Sequence, residues 1–169
     1  MAGQGMGRRS EFVVAGALVE RDGCLLLVRN ERRGGRVDWS PPGGVIDEGE
    51  QVLEGLTREV QEETGLRVTA WQGPVYEVRA DAPGLGWSLR VEVHRALEFD
   101  GDLVVDDPDG IVVDAGWFDA DGCLGCLGGG HPWVREPLAE WLLERWTEGR
   151  SFAFDVQGDD LATLSVSRR

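Results

Sequence analysis

Three glutamates, Glu59, Glu62 and Glu63, stand at positions i, i+3 and i+4 of the segment REVQEETG. On a helix, residues three and four apart are surface neighbours, so three carboxylates would crowd one face and repel one another. Arg58 can pair with Glu62 four residues on, which leaves Glu59 and Glu63 in want of a cation. Hard divalent ions such as Mg2+ or Mn2+ prefer carboxylate, carbonyl and water oxygens. The glycine-rich run WSPPGG upstream can bring backbone carbonyls to the same ion and lets a diphosphate approach without an intervening side chain. An acidic helix face is also a common solvated surface, and the five letters EVQEE alone do not separate the two.

Such a site needs a frame. Over residues 51–64, Val52, Leu53, Leu56 and Val60 recur at spacings of three and four, which predicts an amphipathic helix stopped by Gly65. WSPPGG cannot be helical, because two prolines remove donors and fix φ. FVVAGALVE and CLLLVRN predict two strands joined as a hairpin by Arg21, Asp22 and Gly23. RVTAWQGPVYEVRA predicts strand, break, strand; residues 87–98 predict a long strand, 99–110 an acidic loop and 111–118 another strand. GCLGCLGGGH reads as a glycine-rich loop, and residues 132–147 as an amphipathic helix rich in Trp. The expected organisation is a flexible N-terminus over 1–10, one domain over 11–149, and a tail over 150–169 that forms a short strand or hairpin packed on the domain. The fold class is mixed α/β in layers.

With 169 residues and a net charge of −14, the chain is one domain in size and strongly acidic. No general positive field would hold it to nucleic acid or to an anionic membrane. A phosphorylated small molecule is still admissible where a divalent cation reverses the local sign. No signal-like segment and no run of roughly 20 apolar residues is found, so a soluble, cytoplasmic protein is expected. Cys24 sits in the apolar run CLLLV, whereas Cys123 and Cys126 form a lone CxxC with only His131 nearby. A structural zinc site wants four ligands, so plain thiols are the simpler reading.

The whole constellation is Gly44, five residues, Glu50, seven residues, Arg58 and Glu59, Val60, one residue, Glu62 and Glu63, one residue, Gly65 and Leu66. It resembles the Nudix box at every defining position. The resemblance implies an α/β/α sandwich with a central mixed sheet. It implies a magnesium- or manganese-dependent hydrolase in which water attacks phosphorus in the diphosphate linkage of a nucleotide. Glu59, Glu62 and Glu63 would bind the metal with the carbonyl of Gly43, and Arg58 would join them as a catalytic residue. Glu50 and Arg58 would tie loop to helix through ion pairs. Glu62 or Glu63 would take the proton from water, with Asp106, Asp107 and Asp109 as further candidates in the acidic loop.

For the substrate, Gly44 leaves room; Arg29 at a strand end is preferred as the phosphate contact over Arg32, Arg33 and Arg36 of the following loop; and Trp39 and Trp87 either stack on a base or pack in the core. Arg90 and His94 share a strand face by even spacing, and either line the cleft or face solvent. Nucleoside triphosphates, oxidised ones included, and ADP-ribose-like compounds stay open as substrates; Pro83 is only near the position marking the second group. Because some Nudix domains bind without turnover, a catalytically silent nucleotide sensor is the alternative. The Trp-rich helix packs on the sheet or serves a homodimer.

Overall fold

A computed structural model describes residues 9–169. Its strands are β1 (Ser10–Leu18), β2 (Glu20–Arg21), β3 (Cys24–Glu31), β4 (Val37–Ser40), β5 (Gly43–Val45), β6 (Arg67–Ala82), β7 (Trp87–Asp100), β8 (Val112–Phe118), β9 (Arg150–Gln157) and β10 (Ser165–Arg168). The helices are α1 (Val52–Thr64), α2 (Ala120–Cys126) and α3 (Pro132–Glu144). The larger sheet runs β10-β9-β6-β7-β1-β5 and mixes parallel pairs, β1 with β7 and β6 with β9, with antiparallel ones. A smaller antiparallel sheet runs β2-β3-β4, with β8 on the other side of β3. Helix α1 packs on β1, β5 and β6, while α3 packs on β6 and β9. The two helices sit over separate apolar clusters, which makes an α/β/α sandwich with a central mixed sheet.

The apolar stripe of α1 holds it down. Leu56 and Val60 are fully buried against Ala15, Ala17, Ile46 and Leu66. Burial of each such side chain contributes about 1.5–3 kcal/mol. Leu53, expected in the stripe, is exposed instead, because it lies a helical step off the line through Val52, Leu56 and Val60. Gly65 ends the helix in the left-handed region at φ 76°, its N–H bonded to the Gln61 carbonyl.

Several sequence expectations change. The hairpin partner of β3 is the two-residue β2, while β1 belongs to the larger sheet; the chain passes between sheets at Val19, whose carbonyl still accepts the Leu26 N–H at 2.8 Å. The predicted break near Gly73 and Pro74 is absorbed as register shifts within the continuous strand β6. The CxxC segment is not a loop: Asp119 caps α2 by accepting the Gly122 N–H at 2.8 Å, and a favourable cap outweighs two glycines in so short a helix. Helix α3 stops at Arg145 (φ 52°), before the expected 147. Residues 150–169 form a hairpin that extends the larger sheet, with Phe152, Phe154 and Val156 of β9 buried in the core over α3. Strand β1 begins at Ser10, preceded by the exposed Arg9; residues 1–8 of the expected flexible N-terminus lie outside the described residues. Among the described residues, no helix is long and apolar enough to cross a membrane.

Candidate active site

Strand β5 and helix α1 bring the box residues together. Gly43 pairs with Gly16 of β1, and its φ of 153° belongs to glycine. A Cβ there would stand 2.0 Å from the Ala15 carbonyl oxygen. A Cβ on Gly44 would stand 2.8 Å from the carboxyl carbon of Glu59. The two glycines therefore let backbone lie directly against β1 on one side and the acid face of α1 on the other. The Gly43 N–H donates to Glu63 Oε2 at 3.0 Å, so the group that Gly43 turns to the carboxylates here is its N–H.

Arg58 organises the rest. Its Nε and Nη2 donate to the two oxygens of Glu50 at 3.1 and 3.0 Å, a bidentate pair across eight residues. Its Nη1 reaches Glu59 at 3.1 Å and Glu62 at 3.3 Å. The Arg58 bond holds the Glu50 carboxyl below its ordinary range. Glu50 and Arg58 thus clamp the loop to the helix and hold two of the three crowded carboxylates.

The charge is not fully balanced. Burial pushes the Glu63 carboxyl up to about 8, against the Gly43 hydrogen bond, and the negative neighbours Glu59, Asp107 and Glu62 push the same way. Glu59 is raised as well, by burial first, with Arg58 opposing and Glu62 and Asp109 reinforcing. The acidic loop after β7 comes onto this face. Within it, Asp107 is spent on the loop itself, accepting the N–H groups of Asp109, Ile111 and Val112.

Among the described residues, no three His, Cys, Asp or Glu side chains are gathered as a ready metal cage. Their partners account for this, since Glu59 leans to Arg58 and Glu63 to Gly43. The donor set nonetheless fits a hard divalent cation. It is all oxygen, and it buries negative charge that a cation would compensate.

These residues form one wall of a cavity of about 770 Å³. Val78, Leu89, Val91 and Val93 of the larger sheet line its floor; Trp133 and Val134 of α3, with Trp39, line another side. The wall opposite the carboxylates comes from β3 and β4. There Asp38, 6% exposed, accepts from Arg32 Nε at 2.6 Å and Nη2 at 3.2 Å, and from Asn30 Nδ2 at 3.0 Å. Burial raises the Asp38 carboxyl, but the Arg32 and Asn30 bonds with the charges of Arg32 and Arg36 outweigh it, and the net effect is downward. Arg36 lies 3.5 Å from Asp38 and donates to His131 Nε2 at 2.8 Å. That bond places the imidazole proton on Nδ1. Burial and the charge of Arg36 bring His131 down to about 4, against Asp38, and its ring stacks on Trp133 with centroids 4.1 Å apart.

Two expected substrate contacts are not brought here. Arg29 does not line the cavity, because strand alternation turns its neighbour Asn30 inward; its guanidinium is 3.9 Å from Glu31. Arg90 fails for the same reason, since Leu89 and Val91 take the cavity face of β7. Arg90 lies 3.7 Å from Glu92, and the buried His94 lies 3.4 Å from the same carboxylate. Gly43, Gly44, Trp39, Arg58, Glu59, Glu62 and Glu63 do line the cavity, with Asp107 and Asp109. Trp87 meets Trp133 edge-on and does not line it. Sequence reasoning missed Asn30, Asp38, His131 and Trp133 as cavity residues. The signal for the first two was the alternation of β3 and β4, readable only once their register is known. Cys24, Cys123 and Cys126 are free thiols outside the cavity lining, and burial pushes Cys123 up to about 11.

Known proteins resemble this chain in sequence and in fold. A family model described as the NUDIX domain matches residues 10–141. A Mycobacterium tuberculosis protein named "Putative 8-oxo-dGTP diphosphatase 2" is 33% identical over 124 residues, covering 64% of this chain and 85% of that protein. A MutT-like protein from Streptomyces ambofaciens is 47% identical over 55 residues, covering 32% of this chain and 34% of that one. The chain spans about a third or less of the length of that protein and of two other curated relatives it matches. The crystal structure of a MutT NUDIX hydrolase from Burkholderia pseudomallei superposes with a TM-score of 0.63 at 28% identity, covering 82% of this chain and 99% of that one.

Proposed function

The chain belongs to the NUDIX domain family, and on that premise we propose that it is a hydrolase that cuts the diphosphate linkage of a small nucleotide derivative with the help of Mg2+ or Mn2+. The observation that carries the proposal is the wall formed by Glu59, Glu62 and Glu63 against Gly43 and Gly44 in a cavity of nucleotide size. Those three carboxylates would hold the ion. When bound, it would neutralise phosphate oxygens and lower the pKa of water.

The chain's own groups do the rest. Glu63, fixed by the Gly43 N–H, keeps one oxygen in place and offers the other to the cavity. Glu62 is a third exposed, the most open of the three, and is best placed to take the proton from the attacking water. Arg58 stays on Glu50 and positions Glu59 and Glu62. Arg32 and Arg36, both in the cavity wall, are the cations for the outer phosphate oxygens, in place of Arg29. Arg32 is held by the buried Asp38, so little ordering remains to be done when phosphate arrives. The apolar remainder of the cavity takes the nucleoside.

A nucleoside triphosphate, common or oxidised, is the first substrate to test, because the relative matched over most of its length carries a diphosphatase name. An ADP-ribose-like compound is the second. Three free thiols suit a reducing cytoplasm as the setting. The test is release of phosphate or pyrophosphate from both groups with Mg2+, Mn2+ or EDTA. Turnover that EDTA abolishes supports the proposal. Binding without turnover across the panel would make the protein a nucleotide sensor instead.

A further inference from the structure

Asn30 is only 4% exposed, yet it lines the cavity. Its Nδ2 donates to Asp38 Oδ1 and to Ser40 Oγ, both at 3.0 Å. Asp38 is in turn held by two bonds from Arg32. A carboxylate can only accept, so turning the Asn30 amide over would set oxygen against oxygen; the network therefore fixes which end is which. What remains is Oδ1. It receives no hydrogen bond from any described residue, and it is not among the side-chain atoms sealed from solvent without a partner.

A carbonyl oxygen fixed in this way is an acceptor without a donor. An ionised phosphate has no donor to give and would be repelled by it. Phosphate oxygens on this wall have donors of their own in Arg32 and Arg36, both held by Asp38, so the Asn30 oxygen is left for a different, donor-bearing part of the ligand. We infer that Asn30 Oδ1 reads a hydrogen-bond donor on the nucleoside end of the substrate, an N–H of the base or an O–H of the sugar, and so sets specificity. This rests on the hydrolase reading above, and it assigns Asn30 no part in the chemical step.

The experiment compares matched nucleotides that differ by one donor. Sugar pairs are ribo against 2′-deoxy and 3′-deoxy; base pairs are guanosine against inosine and adenosine against purine riboside nucleotides. The kcat/KM of each is measured for wild type, Asn30→Ala and Ser40→Ala. In wild type, deleting the donor that is read should lower kcat/KM about tenfold to a hundredfold. Whether a sugar or a base deletion does so names the source. In Asn30→Ala that same deletion should cost less than about twofold. Ser40→Ala loosens the network but keeps the Asn30 oxygen and should retain the full discrimination. A purely structural Asn30 would slow all substrates alike, and equal ratios in wild type and Asn30→Ala would overturn the inference. So would a wild type indifferent to every deletion, whether or not the variant folds. Calorimetric binding of α,β-imido analogues of the same pairs runs in parallel. Absent turnover with donor-dependent binding would sink the hydrolase reading and leave Asn30 as the reader; absent binding would overturn both.

Discussion

The two walls of the cavity are built in opposite ways. Glu59, Glu62 and Glu63 come from a single stretch of chain, β5 through α1, and carry more negative charge than their partners balance: Arg58 must serve Glu50, Glu59 and Glu62 at once, while among the described residues Glu63 has only the Gly43 N–H. The β3–β4 wall comes from a strand pair, and its buried polar groups are nearly all satisfied: Asp38 takes Asn30, Arg32 and Arg36, and Asn30 takes Asp38 and Ser40. The first wall is electrostatically strained and suited to chemistry on phosphorus. The second is relaxed and suited to recognition. Substitutions on the first should therefore act on kcat, and those on the second on KM and on substrate choice.

The largest effect expected is on the first wall. Glu62→Gln and Glu63→Gln should each lower kcat by about 10²–10⁴-fold while the fold survives, checked by steady-state product release and circular dichroism. Near-normal rates in both would break the contrast at its root. Next comes Gly43→Ala, where a new Cβ would meet the Ala15 carbonyl at 2.0 Å in a backbone conformation that disfavours side chains. Urea unfolding should show a loss of about 3 kcal/mol or more, the size expected when overpacking is added to backbone strain.

On the second wall, Asp38→Asn should cost about 1–3 kcal/mol at pH 7, because Arg32 loses its charged acceptor. The Asp38 carboxyl is depressed in the folded protein. Its contribution is therefore present above its ordinary value of 3.8 and is lost as pH falls through the lower folded value. The stability gap between wild type and Asp38→Asn should then narrow in acid; a gap that widened below pH 4 would contradict the assignment. The smallest effect is expected from Cys123→Ser with Cys126→Ser, which lie outside the cavity lining. Activity per folded molecule should stay within about twofold, while a large loss would give the CxxC segment a role in the site.

The same contrast explains what the sequence disclosed. Glu59, Glu62 and Glu63 share a face because of helical spacing, a local rule, and Gly43 and Gly44 lie just upstream in the chain; that wall was legible from residue order alone. The partnership of Asn30 with Asp38 depends on the β3–β4 register, and that of Arg36 with His131 spans 95 residues. Arg29 looked well placed at a strand end until the alternation of β3 put Asn30 in the cavity instead. The tail was legible as strand or hairpin, but its parallel pairing of β9 with β6 was not, because nothing local specifies a partner so far back along the chain. Helix α2 was missed because a good cap at Asp119 decided a segment whose glycines pointed the other way.

The acid face of α1 should lower stability until a divalent cation joins it. Thermal melting of wild type and Glu63→Gln, with EDTA and with Mg2+, tests it directly. Without metal, Glu63→Gln removes a carboxyl whose ionisation burial and negative neighbours disfavour in the fold, yet its amide oxygen can still accept the Gly43 N–H. Its Tm should therefore exceed that of wild type by about 2–8 °C. Added Mg2+ should raise the wild-type Tm clearly and that of Glu63→Gln little or not at all. A Glu63→Gln protein that melts below wild type in EDTA, and gains as much from Mg2+ as wild type does, would contradict the account.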